Sequence, residues 1–198
     1  MKDINRVCVF CASSPGIGQD FFDEAEVLAR AFVRHHIAIN YGGGGVGLMG
    51  KLADVMIEGG GTVTGYIPHF MVEMQWAHRK VTDMVKVDNM HERKYLMRQN
   101  ADAVVALPGG VGTLEELMEV ITLKQLGQFN KPVVILNTNN YYEPLLKLLQ
   151  NMSRQKFMRD IHNTIWQVVN SADNVIDAIN NAPVWDSTAI KYAAVIKD

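Results

Sequence analysis

Apolar residues in this chain come in short runs, and between the runs they recur at helical spacing. "RVCVFCA", "IAINY", "TVTGYI", "KVTDMVKV", "AVVAL", "PVVILN" and "IWQVVN" read as strands. The segments Phe21–His35, Leu48–Glu58, Met90–Asn100, Thr113–Leu126, Tyr142–Met152 and Ala172–Asn180 read as helices. Strands that are apolar on both faces and alternate with helices make a parallel sheet covered on both sides. The pattern therefore predicts an α/β fold, one doubly wound parallel sheet with helices on both faces. It occupies residues 1–182, and the tail over 183–198 carries no readable pattern. No repeat, low-complexity tract or linker interrupts the alternation.

In such sheets ligands bind beyond the C-terminal ends of the strands. Three loops fall there, each after a strand and before a helix: "ASSPGIG" (Ala12–Gly18), "GGGGVGLMG" (Gly42–Gly50) and "PGGVGT" (Pro108–Thr113). Gly42, Gly44 and Gly47 satisfy G-x-G-x-x-G, but a dinucleotide site needs an acid about 20 residues on, and "TVTGYI" has none. Gly45 to Lys51 fits G-x-x-x-x-G-K, yet Leu52 stands where a P-loop needs Ser or Thr. Both nucleotide-cofactor readings fail at the residue that would do the chemistry, and a tight turn with close packing accounts for some of these glycines. "PGGVGT" is better placed. Its backbone N–H groups and the first turn of the next helix make an anion site suited to a monophosphate, and Thr113 can add a hydroxyl.

Two acids follow at once, Glu115 and Glu116. Thr113 and Glu116 fit a T-x-x-E capping box. A capping carboxylate would compete with an anion for the same N–H groups, so the other use of Glu116 is on an electropositive part of the ligand. Glu115 points about 100° away around the helix, toward ligand or solvent. A second cluster, "DNMHERKYLM", pairs Asn89 with Glu92 at capping-box spacing. Arg93 and Lys94 then sit in the first two turns, against the helix dipole, where a negatively charged ligand would account for them. Arg93 shares a face with Met90 and Met97, so that face is not simply solvated. His91 reads as a surface residue.

The totals exclude several classes. Of 198 residues, 48 % are hydrophobic and 20 % charged, and 19 Lys plus Arg against 21 Asp plus Glu give a net charge of −2. That balance makes no case for nucleic-acid binding. No segment approaches a membrane span and the start carries no signal-peptide pattern, so a cytoplasmic protein is expected. Cys8 and Cys11 have C-x-x-C spacing, but inside a strand, where alternation puts them on opposite faces as core thiols. The six histidines lack ligand spacing, so no metal site is expected.

"MHERK", the fifteen positions from Arg93 to the Pro of "PGGVGTLEE", "ASSPG", "YGGGGVGLMG", the "IP" of Ile67–Pro68, "EVITLKQLG" and "KPVVILN…YY" together closely resemble the Lonely Guy family over nearly the whole chain. Its members are cytokinin riboside 5′-monophosphate phosphoribohydrolases, which cleave the N-glycosidic bond of a nucleoside monophosphate. The resemblance implies a Rossmann-like fold, a homodimer, and no redox cofactor or required metal. Such sequences have often carried the label lysine decarboxylase, but nothing in the chain suggests a pyridoxal-phosphate site. Carried over residue by residue, the catalytic pair falls on Arg93 and Glu116. Nucleotide contacts fall on Lys94, Gly109, Gly110, Val111, Gly112, Thr113, Glu115 and Thr122. Ser14, Gly43 and Gly44, from the other two loops, complete the candidate substrate contacts together with Gln75. Gln75 stands where the family commonly has Glu, with Glu73 two residues earlier; it keeps the hydrogen bonding without the charge, which bears on substrate preference.

A carboxylate at Glu116 would stabilise the oxocarbenium-like state of N-glycoside cleavage and orient the attacking water. Arg93 stays protonated, so its role is electrostatic. Two alternatives remain open at this stage: a broad purine-monophosphate nucleosidase, and a nucleotide-binding carrier or sensor that turns nothing over. A pure binder needs the glycines but not the acid and the arginine together.

Overall fold

The computed structural model describes residues 4–193. Seven strands form one all-parallel sheet: β1 (Arg6–Phe10), β2 (Ala38–Tyr41), β3 (Val63–Pro68), β4 (Asp83–Val87), β5 (Ala103–Ala106), β6 (Val133–Leu136) and β7 (Gln167–Val169), in the order β4-β3-β2-β1-β5-β6-β7. The helices are α1 (Gln19–Arg34), α2 (Gly47–Glu58), α3 (His69–Glu73), α4 (Met90–Gln99), α5 (Val111–Gln125), α6 (Glu143–Arg154) and α7 (Val175–Asn180). No described helix is long and apolar enough to cross a membrane.

β1 shows why the sheet is covered on both faces. Val7 and Val9 pack with residues of α1, α2 and α7, such as Leu28, Leu52 and Val175. Cys8 and Phe10, pointing the other way, pack with Met97 of α4, Leu117 of α5 and Leu149 of α6. The period-2 alternation thus feeds two separate hydrophobic layers. Cys11 joins the first layer and Cys8 the second; both thiols are free and buried, and burial pushes both well above the ordinary thiol range. They form no redox pair across the sheet.

Chain order fixes where a ligand can enter. The chain lays β2, β3 and β4 to one side of β1, then returns to place β5 on the other side. The loops after β1 and β5 start side by side, with the Ala12 N–H donating to the Pro108 carbonyl at 3.2 Å, and lead to helices on opposite faces. This is the topological switch point, and it opens a crevice at the C-terminal edge.

Two differences from the sequence reading concern boundaries. α3 follows β3 directly, where no helix was expected. α5 begins at Val111 with Gly110 as its N-cap, two residues before Thr113. The described part of the tail packs on the body. Ala189 is buried in a short 3₁₀ turn over Ser187–Tyr192, and Trp185 packs against the second layer. Residues 194–198 of that tail lie outside the described residues.

Candidate active site

A cavity of about 440 Å³ sits at the switch point. Each of the glycine-containing loops supplies part of its wall: Cys11, Ala12 and Ser13 after β1, Gly42, Gly44, Val46 and Met49 after β2, and Gly110, Gly112 and Thr113 after β5. Ile67, Met71 and Trp76 close one end, and Met90, Arg93, Glu115 and Glu116 enter from α4 and α5.

Arg93 owes its place to how α4 is anchored. The Asn89 side chain accepts the Glu92 N–H at 2.9 Å, and the Glu92 carboxylate accepts the Asp88 N–H at 2.9 Å, a reciprocal cap that fixes the start of the helix. At the far end the buried Asn40 amide donates to the Met97 carbonyl at 2.8 Å, tying α4 to β2. The guanidinium is then clamped by backbone: Nε donates to the Tyr66 carbonyl at 2.9 Å and Nη2 to the Gly42 carbonyl at 2.7 Å. A Cβ at residue 42 would lie 1.9 Å from Nη2, so only glycine lets the arginine lie there. The remaining nitrogen, Nη1, stands 3.6 Å from Glu116 Oε1.

That pair is withdrawn from water, Arg93 being 5 % and Glu116 4 % exposed. Burial pushes the Glu116 carboxyl up to about 7, Arg93 pulls it back, and Glu115 adds to the rise. A carboxyl balanced near neutrality is poised for proton or charge chemistry.

The start of α5 supplies the complementary charge. Gly110 offers no side-chain cap, the first turn holds no acid, and the first intrahelical bond runs from Leu114 N–H to the Gly110 carbonyl at 3.0 Å. The N–H groups of Val111, Gly112 and Thr113 therefore have no acceptor within the helix. The capping-box reading of Thr113 and Glu116 is corrected here: Thr113 is the third helical residue, and the Glu116 carboxylate, one turn further on, meets Arg93 instead of the helix end.

The cavity brings together Arg93, Glu116, Gly44, Gly110, Gly112, Thr113 and Glu115. The other candidates lie outside its lining. Lys94 pairs with Glu115 and, at 3.6 Å, with Glu119, which also holds Arg98 at 3.3 Å, so it cross-links α4 to α5. Thr122 is exposed, its hydroxyl donating to the Met118 carbonyl at 2.8 Å. Ser14 is exposed, Val111 is 84 % exposed, and Gly109 lies under the Thr113 side chain. Gly43 has φ +74° and packs against Ile67 and Met84. Gln75, at φ +60°, lines a smaller neighbouring cavity of about 250 Å³. Lys51, the lysine of the P-loop-like run, is paired with Glu26 of α1 and lines neither cavity.

Sequence reasoning missed the apolar wall of Met49, Ile67, Met71, Trp76 and Met90; Met49, Ile67 and Met90 stand inside motifs but were given no part in the site, and Met71 and Trp76 belong to no motif. Trp76 belongs to a segment stitched onto the second glycine loop, with the Gly45 N–H donating to the Trp76 carbonyl at 3.0 Å and the His78 N–H to the Gly43 carbonyl at 2.9 Å.

Fold and cavity together define a Rossmann-like protein with a glycine-lined helix N-terminus at its switch point. Within that class the chain belongs to the Lonely Guy family: residues 49–179 match the family model described as "Possible lysine decarboxylase". A cytokinin riboside 5′-monophosphate phosphoribohydrolase of Rhodococcoides fascians is 42 % identical over 176 residues, 88 % of this chain and 89 % of that protein. An Arabidopsis thaliana protein of the same name is 40 % identical over 169 residues, covering 85 % and 78 %. A probable enzyme of that name from Oryza sativa subsp. japonica is 44 % identical over 154 residues, covering 78 % and 69 %. Among solved structures, the molybdenum cofactor carrier protein of Chlamydomonas reinhardtii superposes with a TM-score of 0.69 at 18 % identity, over 90 % of this chain and 98 % of that one. A molybdenum cofactor binding protein of Rippkaea orientalis gives 0.68 at 19 %, over 91 % and 98 %. These two likenesses establish the fold alone.

Proposed function

We propose that the protein hydrolyses the N-glycosidic bond of adenosine 5′-monophosphates, N6-substituted ones among them, releasing the free base and ribose 5-phosphate. The observation that carries this reading is the buried Arg93–Glu116 pair beside three unclaimed N–H groups at the start of α5. The phosphate sits on the N–H groups of Gly110–Thr113, where the helix dipole favours an anion. From β5 to β3 the cavity crosses three strand spacings, about 14 Å. A nucleoside monophosphate laid across it puts its base against Met49, Ile67, Met71, Trp76 and Met90 and its ribose at Glu116.

The bond from C1′ to the base nitrogen breaks, leaving positive charge on the ribose ring. Ionised Glu116 stabilises that charge and orients the water that adds to C1′, while the leaving base takes up a proton. Arg93 holds the carboxylate in place and offsets part of the burial that would keep it protonated. A decarboxylase using a Schiff-base lysine would need that amine in the cavity; among the described residues no lysine lines it, and Lys94 is committed to Glu115 and Glu119.

We also infer a homodimer. Met90, Tyr95 and Leu126 are each more than a third exposed on α4 and at the end of α5, and Leu114, Met118 and Leu123 are only partly covered. Thr122 lies six residues past Glu116, about 9 Å along the helix and outside the cavity lining, so the nucleotide contact that the resemblance implies for it would call for a partner's cavity. Buried free thiols fit a reducing cytoplasm.

The carrier reading shares the fold, which does not by itself decide between binding and turnover. Incubation with AMP and with isopentenyladenosine monophosphate, followed by chromatography, separates the two. Free base and ribose 5-phosphate are expected; nucleotide that binds and returns intact would overturn the hydrolase reading.

A further inference from the structure

The "YY" after β6 plays no part in the cavity lining, yet the chain adopts an unusual conformation to place it. Asn139 and Asn140, in succession, have φ of +52° and +58°. Side chains other than glycine rarely enter this left-handed region, and asparagine tolerates it best. Such strain persists where the surroundings over-determine it. Here the Asn137 side chain accepts the Tyr142 N–H at 2.7 Å, the Asn137 N–H donates to the Val169 carbonyl at 2.7 Å, and the Asn139 amide donates to Asp20 of α1 at 3.0 Å.

The turn delivers two hydroxyls to one loop. Tyr142 donates to the Leu107 carbonyl and Tyr141 to the Gly109 carbonyl, both at 2.7 Å, on either side of Pro108. The two rings meet edge to face at 5.1 Å, and Tyr141 meets Phe21 of α1 the same way at 6.0 Å. Tyr142 is buried, and burial raises its hydroxyl above the ordinary phenol range, so it remains a neutral donor. Tyr141 is half exposed.

The Gly109 carbonyl and the Gly110 N–H belong to one planar trans peptide, so they point in opposite directions. Holding the carbonyl fixes the N–H. We propose that Tyr141 is a positioning residue for the substrate phosphate: by capturing the Gly109 carbonyl it turns the Gly110 N–H toward the cavity and keeps a carbonyl dipole from facing the anion. This rests on the phosphate assignment of the preceding section. Gly109 and Gly110 flank this peptide and give it little intrinsic preference, so an outside hydrogen bond is what can hold it.

The test is calorimetric titration of the parent and of Tyr141→Phe with ribose 5-phosphate, ribose and adenosine. The substitution keeps both ring contacts and removes only the hydroxyl. The Kd for ribose 5-phosphate is expected to rise roughly three- to tenfold, the Kd for adenosine to stay unchanged, and the melting temperature to move by less than about 2 °C. Tyr142→Phe, which leaves the buried Leu107 carbonyl unpaired, should instead lower the melting temperature. Equal ribose 5-phosphate affinity in parent and Tyr141→Phe, or equal weakening toward ribose 5-phosphate and adenosine, overturns the inference. A parent that binds ribose 5-phosphate no tighter than ribose overturns the phosphate assignment itself, and this inference with it.

Discussion

Burial draws the Glu116 carboxyl toward its neutral form while Arg93 draws it back, and the balance near 7 sets what the residue does at physiological pH. If the carboxylate is the working form, kcat/KM rises as pH passes through about 7 and then levels; a rate that falls over that range would assign Glu116 the role of a proton donor instead. Glu116→Gln should still bind nucleotide and lose about a hundredfold in kcat, the order expected for removing a group aimed at developing charge. Stability has its own signature. The folded-state value lies above the ordinary 4.5, so this group's contribution is fully present below pH 4.5 and is lost as pH rises through about 7. Between pH 5 and pH 8, denaturant titration should find the difference in unfolding free energy between Glu116→Gln and the parent moving in the variant's favour by on the order of 2 kcal/mol. No drift with pH would place the carboxyl's titration elsewhere. Arg93 drew notice as a cation at a helix start and Glu116 as an acid after a glycine loop, and the family resemblance paired them; the structure brings the two together in one cavity. Trp76 and Met71 were not legible in the chain, because an apolar wall is made by residues that three-dimensional packing alone brings together. The clamp on Arg93 was equally hidden, since its acceptors are backbone carbonyls of Gly42 and Tyr66.

At the scale of elements, α5 is the part on which the proposed phosphate site depends most. Its N-terminus lacks both a capping side chain and an acid in the first turn, an arrangement that leaves the helix less stable than it could be and free to accept an anion. Gly112→Asp tests the trade-off. Nothing lies within 4 Å of a Cβ at residue 112, so the side chain fits, and it lines the cavity. The substitution should raise stability by about 0.5–1 kcal/mol through helix propensity and the dipole. It should raise KM for nucleoside monophosphates at least about tenfold, because a resident carboxylate repels the phosphate. Higher stability with unchanged KM would remove the phosphate from this helix end. The strand and helix alternation was readable from apolar runs, including the burial of the sheet on both faces. The start of α5 was not, because Thr and Gly rank about equally as N-caps and the T-x-x-E spacing pointed to Thr113, whereas the helix is capped at Gly110. α3 escaped notice because a five-residue helix is too short to show a period.

For the whole molecule, the strand order places β5 and β3 on opposite sides of β1 and so stretches one cavity from the uncapped start of α5 to an apolar wall. The order itself was not written in any motif; only the presence of three loops at strand ends hinted that they would converge. The exposed apolar residues of α4 and α5 and the position of Thr122 lead to an expected dimer mass in light scattering at micromolar concentration. A fully active monomer would contradict both the dimer and any contribution of one subunit to the other's cavity. The central claim is that the glycine loop holds a 5′-phosphate while the buried Arg93–Glu116 pair cleaves the glycosidic bond beside it. Its most direct test is kcat/KM for isopentenyladenosine 5′-monophosphate against that for isopentenyladenosine, with free base as the product followed. The account predicts rapid release from the monophosphate and at least about a hundredfold slower release from the nucleoside, because binding energy at the phosphate is used at the reacting bond. Equal rates on the two would contradict it.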